Sequence, residues 1–285
     1  MGSTCILTDS SVQFPQLSFP GRNLIRIVPV SIRIDDRFYL EGKELKTSQF
    51  PQLAVGKSAP ELIPPTVDEF INQFLDLAKN FDTIIAIPMS SNLTQVFQNA
   101  ALAEEKVRGC ANIILIDSQT ISIGLGAIIQ AAADLISRGA LPVEVEKRIR
   151  SMIPHTYMTI CTPGLSYLNH AGFIDQSQAL VGEYLGIMPI FTLEEGILTP
   201  VEKVKNLRSL VDYYQEYICE FDRLNHIAFI QSCPPISREA RIVREYAQSE
   251  FQTTVFSEHH INPTLASLIG PRSSGLVIIE EFQDY

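Results

Sequence analysis

Short, continuously apolar runs at Cys5–Leu7, Ile84–Ile87 and Ile113–Ile116 alternate with amphipathic stretches along the first half of the chain. Such runs predict strands covered on both faces, and the helices between them predict a mainly parallel sheet. One helix is expected to open at Thr66, where Thr66 and Glu69 have capping-box spacing and Val67, Phe70, Ile71, Phe74 and Leu75 form an apolar face. Two more are expected at Ser122–Arg138 and Pro142–Met152. Asn23–Ile34 reads as a strand region broken by Pro29, with Phe38–Leu40 pairing onto it. From Glu44 to Pro65 prolines punctuate the chain, and the pattern predicts one helical turn near Ser48–Ala54 and otherwise loop.

Beyond Pro154 the pattern changes. A strand at Tyr157–Cys161 precedes short helices at Leu165–His170 and Gln176–Tyr184. Ile187–Leu193 and Ile197–Val201 form a hairpin across Glu194-Glu195-Gly196. A helix over Val204–Phe221, a strand at His226–Gln231 and a helix at Ser237–Glu250 capped by Ser237 follow, with closing strands at Thr253–Phe256 and Leu276–Glu280. The expected fold is α/β in two domains. Residues 1–154 make a mainly parallel sheet flanked by helices, and residues 155–285 make an α+β domain.

The most informative stretch is Thr83–Ala101, a buried strand, a polar turn over Pro88–Asn92 and a helix opening near Leu93. A helix N-terminus at the carboxyl end of a strand offers free N–H groups to an anion, and Ser90, Ser91 and Thr94 add hydroxyls there. The alternative is that Ser90, Ser91 or Asn92 only caps the helix. Thr8-Asp9-Ser10 and Asp117-Ser118 end two other strands, and in such sheets these ends converge on a ligand site.

Composition narrows the classes. With 285 residues and 46% hydrophobic positions the chain can bury a large core, and its net charge of −10 repels nucleic acid and anionic membranes. Five scattered cysteines without a Cys-x-x-Cys pair read as reduced thiols, and neither a signal peptide nor a membrane span is legible, so a cytoplasmic protein is expected. No cofactor is implied. Hydrolysis by Ser90 or Ser91, oriented by Asp9 or Asp117, lacks a Gly-x-Ser-x-Gly elbow and a nearby histidine. Gly124-x-Gly126 lacks the third glycine of a dinucleotide loop and marks a mobile or closely packed helix start, and His259-His260 reads as a surface pair. Around the glycines, Ile121, Ile123, Leu125, Ile128 and Ile129 exceed what one helix face needs. They fit a helix buried between domains or the wall of an apolar channel. A polar mouth joined to an apolar channel suits a fatty acid.

These features together resemble the DegV family of bacterial fatty-acid-binding proteins across nearly the whole chain. Thr8–Pro15 resembles the opening TDS…LP, and Val28-Pro29-Val30 and Tyr39-Leu40-Glu41-Gly42 the next signatures. Ser90–Phe97 matches the SSxLSGTY block, with Thr94, Gln95, Val96 and Phe97 replacing Ser, Gly, Thr and Tyr. Asp117-Ser118, Leu165–Leu168, Gly172, Ile187–Ile190, Gly196, Pro200 and Gly270-Pro271 keep the family's order.

The resemblance implies an acyl chain held between two domains and delivery to a fatty acid kinase. It implies a carboxylate cradle of Ser91, Thr94 and Gln95, with Pro65 and Thr66 from the family's TSxPS loop. The acyl pocket is expected from Ile121, Ile123, Leu125, Ile128, Leu165, Leu168, Phe173 and Leu268. Ile63 and Pro64 depart from TSxPS, Phe173 and Leu268 stand where the family has arginine and histidine, and Lys205 replaces an arginine. Those losses remove groups that would neutralise an acyl phosphate. The alternative reading is an enzyme acting on acyl or phosphoryl groups at the same mouth.

Overall fold

The computed structural model describes residues 3–41 and 44–281, so Gly42 of the Tyr39–Gly42 signature lies outside the described residues. Among them, three sheets form. The first is wholly parallel, with the order β2 (Ile25–Val28), β1 (Thr4–Asp9), β6 (Thr83–Ala86), β7 (Ile113–Leu115). Every residue of β1 and β6 is buried, the outcome their unbroken apolar runs predict. The second sheet, β4 (Arg37–Leu40), β3 (Ser31–Ile34), β5 (Glu61–Ile63), is antiparallel. Pro29 thus separates two strands that enter different sheets. β5 lies where loop was expected, because three residues between prolines carry too little periodicity to be read.

Helices flank the parallel sheet. α1 (Val67–Leu77) packs on α2 (Val96–Lys106), and α3 (Ser122–Ser137) on α4 (Pro142–Met152). Thr66 caps α1 through the expected box with Glu69, while Leu77 rather than Leu75 completes its buried face. α3 is apolar on all sides and its residues from Ser122 to Ile129 are buried. Gly126 allows this: a Cβ there would lie 1.9 Å from the Gln13 carbonyl oxygen. Close packing, not mobility, is the role of this glycine.

All strands of the third sheet come from residues 156–280. Their order is β10 (Ile197–Val204), β9 (Met188–Glu194), β8 (Thr156–Cys161), β13 (Ser274–Glu280), β11 (Leu224–Gln231), β12 (Val255–His260), antiparallel except for the β11–β12 pair. α5 (Leu165–His170) and α6 (Gln176–Tyr184) form as expected. α7 (Leu207–Cys219) starts later than expected because Val204 still belongs to β10, and α8 (Ser237–Glu250) begins without a side-chain cap from Ser237. One face of this sheet joins the core of the parallel sheet through Met158, Ile160, Leu193 and Val277. The other face, with Cys161, Phe229 and Ile278, packs on Tyr214 and Ile218 of α7 and Val243 of α8. α9 (Pro263–Ile269) was not expected, although Asn262 caps it and Pro263 occupies its first turn. Among the described residues no helix is long and apolar enough to cross a membrane.

Candidate functional site

From β1 the chain leaves toward β2 on one side and later returns to β6 on the other, which opens a crevice at their carboxyl ends. The turn after β6 fills it and is held from behind by two carboxylates. Asp9 Oδ2 accepts from the Met89 N–H at 2.7 Å and its Oδ1 from the Ser11 N–H at 2.9 Å. Asp117 Oδ1 accepts from Ser91 N–H at 3.2 Å and Gln119 N–H at 3.0 Å. The three strand ends do converge, but Asp9 is fully buried and serves as a backbone clamp; burial raises its pKa above the usual carboxylate range.

Ser90 is buried, accepts from the Asn92 N–H and donates to the Gly196 carbonyl at 2.9 Å. Its hydroxyl proton is directed at a carbonyl in the β9–β10 turn, a group that cannot act as a general base. α2 opens at Val96, three residues later than expected, because residues 91–95 remain a turn. None of Ser90, Ser91 or Asn92 caps it; Gln95 holds the cap position without a side-chain bond, and the Thr94 hydroxyl accepts from Val96 N–H at 3.3 Å. Ser91 uses its backbone N–H on Asp117 and its carbonyl on Gln98 Nε2 at 2.8 Å. Among the described residues no protein group bonds the Ser91 hydroxyl.

Two cavities meet at this turn. The outer, of about 340 Å³, is lined by Ser91–Gln95, by Glu61, Leu62 and Pro64 from β5 and beyond, by His170 and Ala171, and by Ser267 and Leu268 of α9. The inner is wholly apolar and nearly filled by its own side chains, with about 10 Å³ free. Its walls are Leu93, Ile121, Met158, Ile160, Phe173, Leu193, Leu198, Leu265, Leu268 and Ile269. Leu93 and Leu268 belong to both. A chain entering the inner cavity must displace them.

The structure brings Ser91, Thr94 and Gln95 together on the outer wall and Ile121, Phe173 and Leu268 on the inner. Other expected residues stand outside both walls. The Thr66 hydroxyl is occupied with Glu69, and the Pro65 carbonyl accepts from Asn99 Nδ2 at 2.8 Å. Ile123, Leu125 and Ile128 are buried in the general core. Leu165 and Leu168 are buried there too, with Leu165 against α6 near Gly182. Sequence reasoning missed Leu93, Ser267, His170 and the wall from β8, β9 and β10; the Asn262-Pro263 helix signal could have found α9.

α9 is fixed by Glu41. One Glu41 oxygen accepts from Thr264 N–H at 2.9 Å, and the other accepts from the Thr264 hydroxyl and from Ser10 Oγ at 3.1 Å. Burial pushes the Glu41 carboxyl up to about 7, and the neighbouring Asp9 charge adds to the rise. His259 and His260 are consecutive residues of β12; His259 and His226 both bond Ser257 Oγ, at 2.8 and 2.7 Å. Among the described residues no cluster of three His, Cys, Asp or Glu side chains could hold a metal ion.

A sequence model of the family described as "Uncharacterised protein, DegV family" matches residues 3–281. A DegV domain-containing protein of Caldanaerobacter subterraneus subsp. tengcongensis is 26% identical over 287 residues, covering 99% of this chain and 100% of the relative. The fatty acid binding DegV family protein of Streptococcus agalactiae superposes with a TM-score of 0.86 at 20% identity, covering 99% of this chain and all of that one. The fatty acid kinase (Fak) B3 protein of Streptococcus pneumoniae, loaded with linoleic acid, gives 0.85 at 17% identity over 98% of this chain and all of that one.

Proposed function

The chain belongs to the DegV family, and on that premise we propose that it is a non-enzymatic carrier of a long-chain fatty acid. The head group lies against Ser91, Thr94 and Gln95, and the acyl chain passes Leu93 and Leu268 into the apolar cavity between the parallel sheet and the six-stranded sheet. The observation that carries this reading is the junction itself, where a cavity bearing hydroxyls and amides abuts an apolar one across two shared leucines, Leu93 and Leu268. Once Leu93 and Leu268 have moved aside, each methylene buried behind them contributes about 0.8 kcal/mol less the cost of that rearrangement, and the head group sets the register. The Streptococcus agalactiae protein, described as fatty acid binding, and the Streptococcus pneumoniae protein, loaded with linoleic acid, support the ligand class.

The likeness to the Fak B3 protein extends the proposal to hand-over of the lipid to a fatty acid kinase. A binding role rather than catalysis is favoured because the buried Ser90 hydroxyl is committed to Gly196. Native mass spectrometry after incubation with palmitate tests the reading. One palmitate adduct per chain is expected, weakened about tenfold or more by Ser91→Ala with Thr94→Val, since hydrogen bonds to a charged group contribute about 1.5–3 kcal/mol each. An unchanged apo mass contradicts it.

A further inference from the structure

A further cavity of about 460 Å³ borders α3 and shares no lining residue with the two at the mouth. Ile121 of the inner cavity precedes the first turn of α3, and Gln130 of this one lies about 14 Å further along the helix axis. Its walls come from both halves of the chain. Phe19 from the segment after β1, Met152 at the end of α4 and Ile279 of β13 supply apolar sides. Phe19 is held in place by Phe14, at 5.1 Å between ring centroids, and by the Arg22 guanidinium over its ring. Small-molecule sites are commonly crevices of this size at the junction of two layers.

Gln130, Asn225 and His226 line the same crevice, and each spends only part of its bonding capacity. Gln130 Oε1 accepts from the Gln16 N–H at 3.3 Å, and Asn225 Nδ2 donates to the Glu280 carbonyl at 3.4 Å. Among the described residues nothing bonds the Gln130 amide nitrogen or the Asn225 amide oxygen, which leaves one donor group and one acceptor. His226 Nε2 and His259 Nε2 share the Ser257 hydroxyl. That hydroxyl has one proton, so it donates to one ring and accepts from the other. Exchange between the two arrangements converts His226 Nδ1 from acceptor to donor. Burial, with His259 nearby, pushes the His226 pKa down to about 4, so the ring is uncharged near neutral pH. Asp134 and Arg138 at the rim pair with each other at 2.7 Å.

Carboxamides and a neutral imidazole read the donor and acceptor edge of a ligand rather than its charge. A purine base presents such an edge, to which asparagine and glutamine bond with one donor and one acceptor, and its flat faces pack on aromatic and apolar walls. We propose that this crevice binds a purine nucleoside through its uncharged base, independently of lipid at the mouth.

Saturation-transfer NMR titrations of the full chain with adenosine, guanosine and uridine, repeated with palmitate present, test this. One of the two purine nucleosides should bind saturably, more tightly than uridine, and palmitate should leave its affinity unchanged. Gln130→Ala combined with Asn225→Ala, at half-buried and exposed positions, should weaken it by about tenfold or more while thermal unfolding stays native. Saturable binding by neither purine nucleoside, equal binding of uridine, displacement by palmitate, or unchanged affinity in the double variant overturns the proposal. None of these results bears on the lipid-binding reading, which palmitate uptake tests separately.

Discussion

The Ser90 hydroxyl and the Gly196 carbonyl, 106 residues apart, meet at 2.9 Å and fasten the turn after β6 to the tip of the β9–β10 hairpin. Gly196 has φ +79°, as the second residue of a two-residue hairpin turn requires, and a Cβ there would lie 2.3 Å from Ser90 Oγ. Gly196→Ala should cost about 1–3 kcal/mol in urea denaturation through both strain and overlap. Ser90→Ala alone should cost about 1 kcal/mol. In the double variant the overlap is relieved, so its loss should be smaller than the sum of the two; strict additivity would mean that the two residues do not touch in solution.

Gly126 gives a second steric test. A Cβ would meet the Gln13 carbonyl oxygen at 1.9 Å, and backbone cannot yield as a side-chain end can. Gly126→Ala, which raises helix propensity in an exposed helix, should here lower stability by about 1–3 kcal/mol or more in thermal or urea unfolding. A stabilised variant would mean that α3 does not pack on residues 13–14.

How much of this was legible before the structure depended on what each signal measures. Unbroken apolar runs located β1 and β6, a capping box located α1 and turn chemistry located the β9–β10 hairpin, because those signals are local. β5 and α9 escaped because each is short and held by tertiary partners, β3 for one and Glu41 for the other. At the site, the polar turn pointed to Ser91 and Thr94 and the family resemblance added Gln95; all three line the outer cavity. The apolar wall was harder: Ile123 and Leu125 are as fully buried as Ile121, but hydrophobicity reports burial without saying against what. Only the register of β8 against β9 brings Ile160 and Leu193 into the same wall.

Glu41 makes stability depend on pH. Its carboxyl is raised from 4.5 to about 7 in the folded protein, so folding takes up a proton between those values. Its contribution is fully retained below pH 4.5, declines as pH rises toward 7, and is lost above it. At 1.36 kcal/mol per unit the whole effect is about 3 kcal/mol, and Asp9, also raised, acts in the same direction. Glu41→Gln removes the charge and keeps an acceptor for the Thr264 N–H. It should be more stable than the native protein at pH 8 by about 1–3 kcal/mol and nearly equal at pH 4.5. Equal pH slopes in urea titrations would show that Glu41 does not titrate in this window.

Leu93 stands on both cavity walls and is only half-buried. Leu93→Trp should close the passage, abolishing lipid binding while thermal unfolding shifts by no more than a few degrees, because the indole can lean into the outer cavity of about 340 Å³. Retained binding with native affinity would place the acyl chain elsewhere.

The most direct measurement is mass spectrometry of the lipid extract from protein purified without detergent, alongside Leu93→Trp purified in the same way. The account predicts close to one long-chain amphiphile per chain in the native protein and almost none in the variant. An extract free of such lipids, from a protein that also takes up no palmitate when it is added, would contradict it.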